Sequence, residues 1–573
     1  MAKQRPAAVR VPVAQDSLPS RSVLVAVPEP GRVIAAAAVV FVAALLIFIR
    51  LDQRVLYIDE AETALLGRTT LAHGIPTAHD GKNLISQELE HEHDARDVWR
   101  WTPWLEKYMT AASFAVLGES TFSARFPFAL LGLLSVVSMY PLALAWFRDR
   151  WVGVLAMAFL ALSVPFLLHV RQCRYYSITI FASIWVFYFL MGLVRGRRGA
   201  VLGFTLAMTG VFEANTLTFM ATCGALVPCV LWLGVTRAVL WRAALAAVFI
   251  AILNAPWFFY FDILGRTGHR LDPYWWNVRI LTELTAHYTF PFVALLLFLL
   301  LAWWFRKRRN GSGPPLLDRH TWRAFASLLT FGAACIFALS MAPWCYYRYM
   351  ANLLPLAALL MAVMCGAVLR WQRVVGVIFT ACLLLTGVFH EASVWPFSAR
   401  LANLPLAGRS FPVFDTFFPL GNYLYEVTHP YVGPMEGLLQ FLRQHVRPED
   451  RIYISYGDLI LKFYMNNEIR GGQTGQTFSG MPEPEWLIIR GFFRYTDRAE
   501  MRADTLRTMD WLNNEAPQEH YDKLPDSWRD HPWDDIPEPQ FHWFRTLDDA
   551  QPPDAKWMQV YRLRAAPAPA AVP

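Results

Sequence analysis

The chain has 573 residues, 55% of them hydrophobic and 17% charged, with a formal net charge of +7. That composition excludes a disordered chain, a collagen-like repeat and a small disulfide-stapled domain. Long uncharged runs through most of the first 391 residues exclude an ordinary soluble fold and predict a polytopic membrane protein.

The charge is unevenly spread. Residues 1–391 carry 34 Lys and Arg against 21 Asp and Glu, and residues 392–573 carry 18 against 24. No basic cluster is interleaved with stacking aromatics, so a nucleic-acid interface is not indicated. All seven cysteines lie in or beside apolar runs, which suggests neither a disulfide framework nor a Cys-based metal site.

Residues 1–31 read as a disordered cytoplasmic arm rich in Pro, Ala and Val. The first apolar run, 33–49, has no convincing cleavage site and reads as an uncleaved signal anchor. Ten further runs are long enough to span: 124–147, 151–170, 176–194, 200–217, 219–235, 239–260, 289–305, 322–343, 348–369 and 374–391. The arm and alternate loops on its side hold 20 basic residues, and the short loops opposite hold six. This asymmetry predicts a cytoplasmic N-terminus and eleven spans, leaving residues 392–573 outside. The stretch 102–117 would invert every later loop if it spanned, so it is read as an interfacial helix in the first outer loop, 50–123. The expected domains are the arm, a transmembrane domain over 32–391 and an extracytoplasmic soluble α/β domain over 392–573. In that domain Arg451–Tyr456 alternates like a strand, Trp486–Phe493 and Gln559–Leu563 read as further strands, and Asp458–Met465 reads as a helix. No eukaryotic retention signal is evident, so the expected location is a bacterial plasma membrane with the domain in the periplasm.

Five stretches carry groups that can do chemistry. Loop 50–123 opens with Tyr57-Ile58-Asp59-Glu60-Ala61-Glu62, two adjacent carboxylates suited to a general base or a divalent cation. Asp59 with Glu62 also fits a capping box that simply opens a helix. The acidic and imidazole run Glu88–Asp97 contains Glu92 and Asp97, which are metal candidates or else solvated loop residues. The loop His169-Val-Arg171-Gln-Cys-Arg174-Tyr175-Tyr176 sets two arginines among tyrosines at membrane depth. Such arginines suit a phosphate, which a guanidinium binds bidentately, or else snorkel at the interface. Trp344-Cys-Tyr-Tyr347-Arg348-Tyr349 repeats that chemistry, and loop 262–288 adds His269 and His287 as metal or base candidates.

The ordered set of these pieces resembles the polyprenyl-phosphate-sugar-dependent glycosyltransferases of the C-type membrane fold, among them the protein O-mannosyltransferases and the lipid A aminoarabinose transferase. The matching stretches are Tyr57-Ile-Asp59-Glu60, Leu117-Gly-Glu-Ser120 running into Ala124-Arg125-Phe-Pro127, Arg171-x-x-Arg174-x-Tyr176, and Arg348-Tyr349 leading into Leu353-Leu-Pro355. The resemblance implies inverting transfer of a sugar from a polyprenyl phosphate to a hydroxyl of a protein, lipid or glycan at the outer membrane face. It implies Asp59 as general base with Glu60 assisting. Arg171, Arg174, Tyr175, Arg348 and Tyr349 would hold the lipid phosphate, and a divalent metal (Mg, Mn or Zn) is the one cofactor considered. Relatives of the aminoarabinose transferase start the interfacial helix with a Lys-Pro-Pro-like stretch. Here it reads Arg100-Trp-Thr-Pro103-Trp104, so the second carboxylate is left between Asp97 and Glu92. A polyprenyl-linked sugar carrier or flippase would use the same arginines without needing the carboxylate pair.

Overall fold

A computed structural model describes residues 30–88, 90–263, 265, 273–308, 315–343, 345–393, 418–430, 433–472, 474, 483–490, 520–524, 528–530, 537–540, 542 and 556–564. The expected arm, residues 1–29 of it, and His269 lie outside these. The chain is a helical membrane bundle with a small sheet domain.

The bundle helices in chain order are α1 (Pro30–Phe48), α2 (Ile58–His73), α3 (Leu105–Leu117), α4 (Thr121–Phe147), α5 (Arg150–Ala161), α6 (Val164–Val170), α7 (Tyr176–Arg195), α8 (Ala200–Ala214), α9 (Thr216–Leu233) and α10 (Arg237–Tyr260). They continue with α11 (Tyr274–Leu284), α12 (Phe292–Arg308), α13 (Arg319–Leu339), α14 (Leu354–Trp371) and α15 (Arg373–Leu385). Apolar segments of this length become helices in a bilayer because only there can every backbone amide be satisfied within the segment.

Every expected run is helical, but not every run is one straight span. Seven described helices are long and apolar enough to cross, or nine if each of two bent pairs is one span. The expected span 151–170 breaks by 65° between α5 and α6, and the one at 289–305 is the second limb of a pair bent by 78°. Pro165 opens α6 after an extended Ser163, and Pro291 follows an extended Phe290; neither proline has an amide to continue the preceding helix. Helix α8 ends early because Asn215 turns the chain. Its side chain accepts from Thr218 N at 2.9 Å and so caps α9.

Burial separates lipid-facing from central helices. Helices α1 and α10 are mostly exposed, whereas every residue of Leu354–Val368 in α14 is buried. An all-round apolar helix belongs at the centre of a bundle. A 3₁₀ turn, Tyr347–Leu353, leads directly into it and carries Arg348. Helix α3 has 13 residues, roughly 20 Å at helical rise, too short for a ~30 Å hydrocarbon core. It lies against α2, where a Cβ on Gly67 would come within 2.7 Å of Thr110 Cγ2. That glycine is needed for the close approach.

The sheet domain contains α16 (Pro419–Thr428), α17 (Pro434–His445) and α18 (Asp458–Tyr464). Its main sheet comprises β1 (Arg451–Ile454), β2 (Glu468–Gly471), β3 (Trp486–Ile489), β4 (Tyr521–Lys523) and β7 (Gln559–Leu563), in the order β2-β1-β3-β7-β4. A separate pair joins β5 (Arg529–Asp530) to β6 (Lys556–Trp557). β1 runs parallel to β2 and β3, while β7 is antiparallel to β3 and β4. The three strands and one helix read from the sequence stand at these places; residues 491–493 of the expected strand lie outside the described residues.

The domain is docked on the loop that follows α1. Arg68 Nη2 donates to Phe463 O at 2.9 Å, and the Tyr464 hydroxyl accepts from Leu56 N at 2.9 Å. Asn83 exchanges two bonds with Asn467 and Ile469. The wholly buried pair Lys462–Asp458 (2.6 Å) also donates to Leu84 O. Apolar residues of α2, the loop and the sheet domain form one core cluster. This docking fixes the start of α2, and with it the site.

Candidate active site

Helix α2 starts at Ile58 with Tyr57 as N-cap, so the capping box read as Asp59–Glu62 is displaced by two residues. The side chain that reaches back is Glu60, whose Oε2 accepts from Tyr57 N at 3.3 Å. Asp59 lies with Glu60 on the first turn instead, where the helix dipole favours carboxylates, and Glu62 follows it.

Adjacent Asp59 and Glu60 face different partners. Glu60 is fully buried and forks onto Arg125: Nε to Oε1 at 2.8 Å and Nη2 to Oε2 at 2.7 Å. Its Oε1 also accepts from Cys173 N at 2.7 Å. Arg125 in turn donates to the carbonyls of Leu51, Arg54 and Val55. Glu60 is thus the clasp that holds α2, α4 and the 171–175 segment together. Asp59 turns toward a separate cluster of charges. Its Oδ2 accepts from Arg348 Nη1 at 2.7 Å and from the Tyr57 hydroxyl at 3.3 Å, and lies 3.8 Å from Arg174 Nη2.

Arg174 joins the remaining pieces. Its Nη1 donates to Glu62 Oε1 at 3.1 Å, Thr63 Oγ1 at 3.0 Å and Asp59 O at 3.2 Å, and stands 4.0 Å from Glu106 Oε1. Burial alone would lower its pKa, but Asp59, Glu106 and Glu62 together raise it well above the ordinary arginine value. Burial, reinforced by Asp59, raises the pKa of Glu62. Tyr175 lies under the Arg174 guanidinium (5.6 Å), and Arg348 sits over the rings of Tyr346 (4.3 Å) and Tyr349 (5.9 Å). Arg174 and Arg348 thus meet Asp59, and Tyr175 and Tyr349 lie against those two arginines.

Arg171 does not join them. Its guanidinium donates to Leu46, Ile47, Ile49 and Arg50 carbonyls at 2.8–3.2 Å, so it satisfies the end of α1. The metal candidates are also scattered. Glu92 is committed to Ser86 Oγ and the amides of Gln87 and Glu88; burial pushes its pKa up to about 7 against those bonds. Asp97 is half-exposed and lies 3.6 Å from His93, and His287 is in the turn Thr285–Thr289 that ends α11. Among the described residues, no three His, Cys, Asp or Glu side chains are grouped to share a metal ion.

Three residues of the cluster were not read from the sequence. Glu106 and Lys107, at the start of α3, form a fully buried pair at 2.5 Å. Lys107 also donates to Thr102 Oγ1 at 2.6 Å, and Glu106 Oε2 has no hydrogen-bond partner among the described residues. The available signal was an adjacent charge pair in an otherwise apolar run. The third is Glu538 of the sheet domain, fully buried, whose Oε1 accepts from Arg348 Nη1 at 3.0 Å. Burial raises its pKa, although Arg348 opposes the shift.

No protein-family profile and no curated protein matches this sequence. Solved structures do match. The apo form of ArnT from Cupriavidus metallidurans is 18% identical, with 80% of this chain and 93% of that chain covered and a TM-score of 0.50. The same protein bound to undecaprenyl phosphate gives 17% identity, equal coverage and a TM-score of 0.49. The oligosaccharyltransferase AglB from Archaeoglobus fulgidus, in complex with an inhibitory peptide and a dolichol-phosphate, gives 11% identity, 88% and 80% coverage and a TM-score of 0.46. The chain has the fold of the C-type membrane glycosyltransferases and is a multi-pass membrane protein.

Proposed function

We propose that this protein is a membrane glycosyltransferase that moves a sugar from a polyprenyl-phosphate donor to a hydroxyl of a protein, lipid or glycan acceptor, with inversion. The reaction takes place at the outer membrane face, with the N-terminus cytoplasmic and the sheet domain outside. The observation that carries this reading is the meeting of Asp59 with Arg348 at 2.7 Å and Arg174 at 3.8 Å in a buried cluster. In this reading they are the base and the cations for a leaving phosphate.

In the proposed reaction Asp59 takes the proton of the acceptor hydroxyl, whose oxygen then bonds to the anomeric carbon of the sugar. The carbon–oxygen bond to the phosphate breaks, and its electron pair leaves with the phosphate. Arg348 and Arg174 stabilise that departing charge, and Lys107 neutralises Glu106 beside Arg174. Fixed cations aimed at charge that grows in the transition state lower the barrier selectively.

The test uses the full chain in membranes, supplied with undecaprenyl-phosphate-linked sugars, with release of undecaprenyl phosphate read by mass spectrometry. Asp59→Asn should lose about 10²–10⁴-fold in rate, the usual contribution of general-base catalysis, while remaining inserted and folded. Unchanged release would remove Asp59 from the reaction.

A further inference from the structure

Resting on the reading above, we propose that Glu538 is a tethered competitor for the donor's phosphate. With no donor bound it holds Arg348 from the sheet-domain side, and the lipid phosphate displaces it on binding. The first argument is positional. Arg348 Nη1 is shared between Asp59 Oδ2 at 2.7 Å and Glu538 Oε1 at 3.0 Å, so a phosphate that takes this nitrogen must evict a carboxylate. Asp59 belongs to helix α2 and is fixed by its first turn, whereas Glu538 arrives on a short segment between two prolines.

Charge gives the second argument. In the cluster, the cations Arg174, Arg348 and Lys107 face the carboxylates of Asp59, Glu62, Glu106 and Glu538. The cluster therefore has more carboxylates than cations before any phosphate arrives. Adding an anion there is unfavourable in a buried site of low dielectric, while exchanging one anion for another is nearly neutral. Glu538 Oε2 is buried with no hydrogen-bond partner among the described residues, so the present contact leaves it half-satisfied.

The third argument is how the segment is held. Gln172 Nε2 donates to Pro537 O at 2.8 Å, Tyr347 N donates to Gln540 Oε1 at 2.6 Å, and His542 N donates to Glu538 O at 2.7 Å. The His542 ring lies 2.7 Å from Glu426 of α16. These are reversible polar contacts, and Pro537 borders a cavity of about 60 Å³ lined by Arg50, Arg54, Arg171 and Gln172. The segment has somewhere to move. Donor binding and docking of the sheet-domain segment would then be mutually exclusive at Arg348.

The experiment measures the affinity of the purified full chain and Glu538→Gln for undecaprenyl phosphate in nanodiscs. If Glu538 occupies Arg348 about nine-tenths of the time, the variant should bind roughly tenfold more tightly. Equal or weaker binding by a correctly folded variant overturns the competitor role while leaving the transferase reading intact. If the wild type itself does not bind undecaprenyl phosphate, both readings fall. Hydrogen exchange of the wild type serves where the variant does not fold. Saturating undecaprenyl phosphate should speed exchange in peptides containing Glu538 and His542, and protection or no change overturns the proposal.

Discussion

Asp59 and Glu60 are neighbours in sequence, yet the structure assigns them separate duties, and substituting each one separates the two. Glu60→Gln removes the charge that neutralises Arg125 and breaks a two-bond fork between groups that are both almost wholly buried. Arg125 would keep its three carbonyl acceptors but lose its counter-charge. Breaking a buried pair from one side costs about 3–5 kcal/mol, because an uncompensated charge stays behind. Replacing both partners by neutral groups should cost less than the single change, since no lone charge remains. The assay is the fraction of full chain that stays monodisperse in mild detergent after a heating series, paired with turnover per folded molecule. Glu60→Gln should fall apart at clearly lower temperature, with turnover per folded molecule within about tenfold of wild type. A Glu60→Gln protein as heat-resistant as wild type but inactive would refute this division and return Glu60 to the chemistry.

Other outcomes follow from the same geometry. Arg171→Met should weaken the bundle by removing the donor from the carbonyls at the end of α1, about 0.5–1.5 kcal/mol for part-buried and exposed hydrogen bonds, with undecaprenyl phosphate affinity unchanged; a selective loss of affinity would contradict the capping role. Arg348→Met should instead abolish lipid-phosphate binding and transfer, as read by direct titration and by product release. Lys107→Met should lower turnover at least tenfold while donor binding persists, since it unpairs Glu106, which lies 4.0 Å from Arg174; wild-type turnover would remove it from the site. Glu92 supplies a pH test. Its folded pKa of about 7 lies above its ordinary value of 4.5, so the folded protein holds a proton that the unfolded chain has lost. Stability then falls as pH rises through that interval, by up to about 3 kcal/mol. Glu92→Gln should flatten the dependence of heat resistance between about pH 5 and 7, and an unchanged slope would assign it to other groups.

Much of this fold was legible because a bilayer imposes a strong local rule: long apolar runs become helices, and charge marks the turns between them. β1 and α18 were legible for the same local reason, an alternating strand followed by a helix, whereas the short β2 was not read. The two bends were not read, although Pro165 and Pro291 were in plain view, because hydropathy averages over a single proline. Within the site, Asp59 stood out as one of two adjacent carboxylates, and Arg174 and Arg348 as charges among apolar and aromatic neighbours. Arg171 looked identical by that criterion. Its partners are carbonyls of α1 more than a hundred residues earlier, which no local pattern encodes. Glu106 and Lys107 were hidden by their own pairing, since an adjacent opposite pair reads as neutral. Glu538 was the least accessible: it lies in a stretch crowded with Pro, Asp and Trp, and only the tertiary docking of the sheet domain brings it to Arg348.

The central claim is that this buried cluster of arginines and carboxylates handles a phosphorylated polyprenol carrying a sugar. The most direct measurement is mass spectrometry of the lipids that stay with the full chain when it is purified in mild detergent. The account predicts a polyprenyl phosphate, sugar-linked in Asp59→Asn where transfer is blocked, and absent from Arg348→Met. Failure to retain any phosphorylated polyprenol, even when undecaprenyl phosphate is supplied in excess, would contradict it.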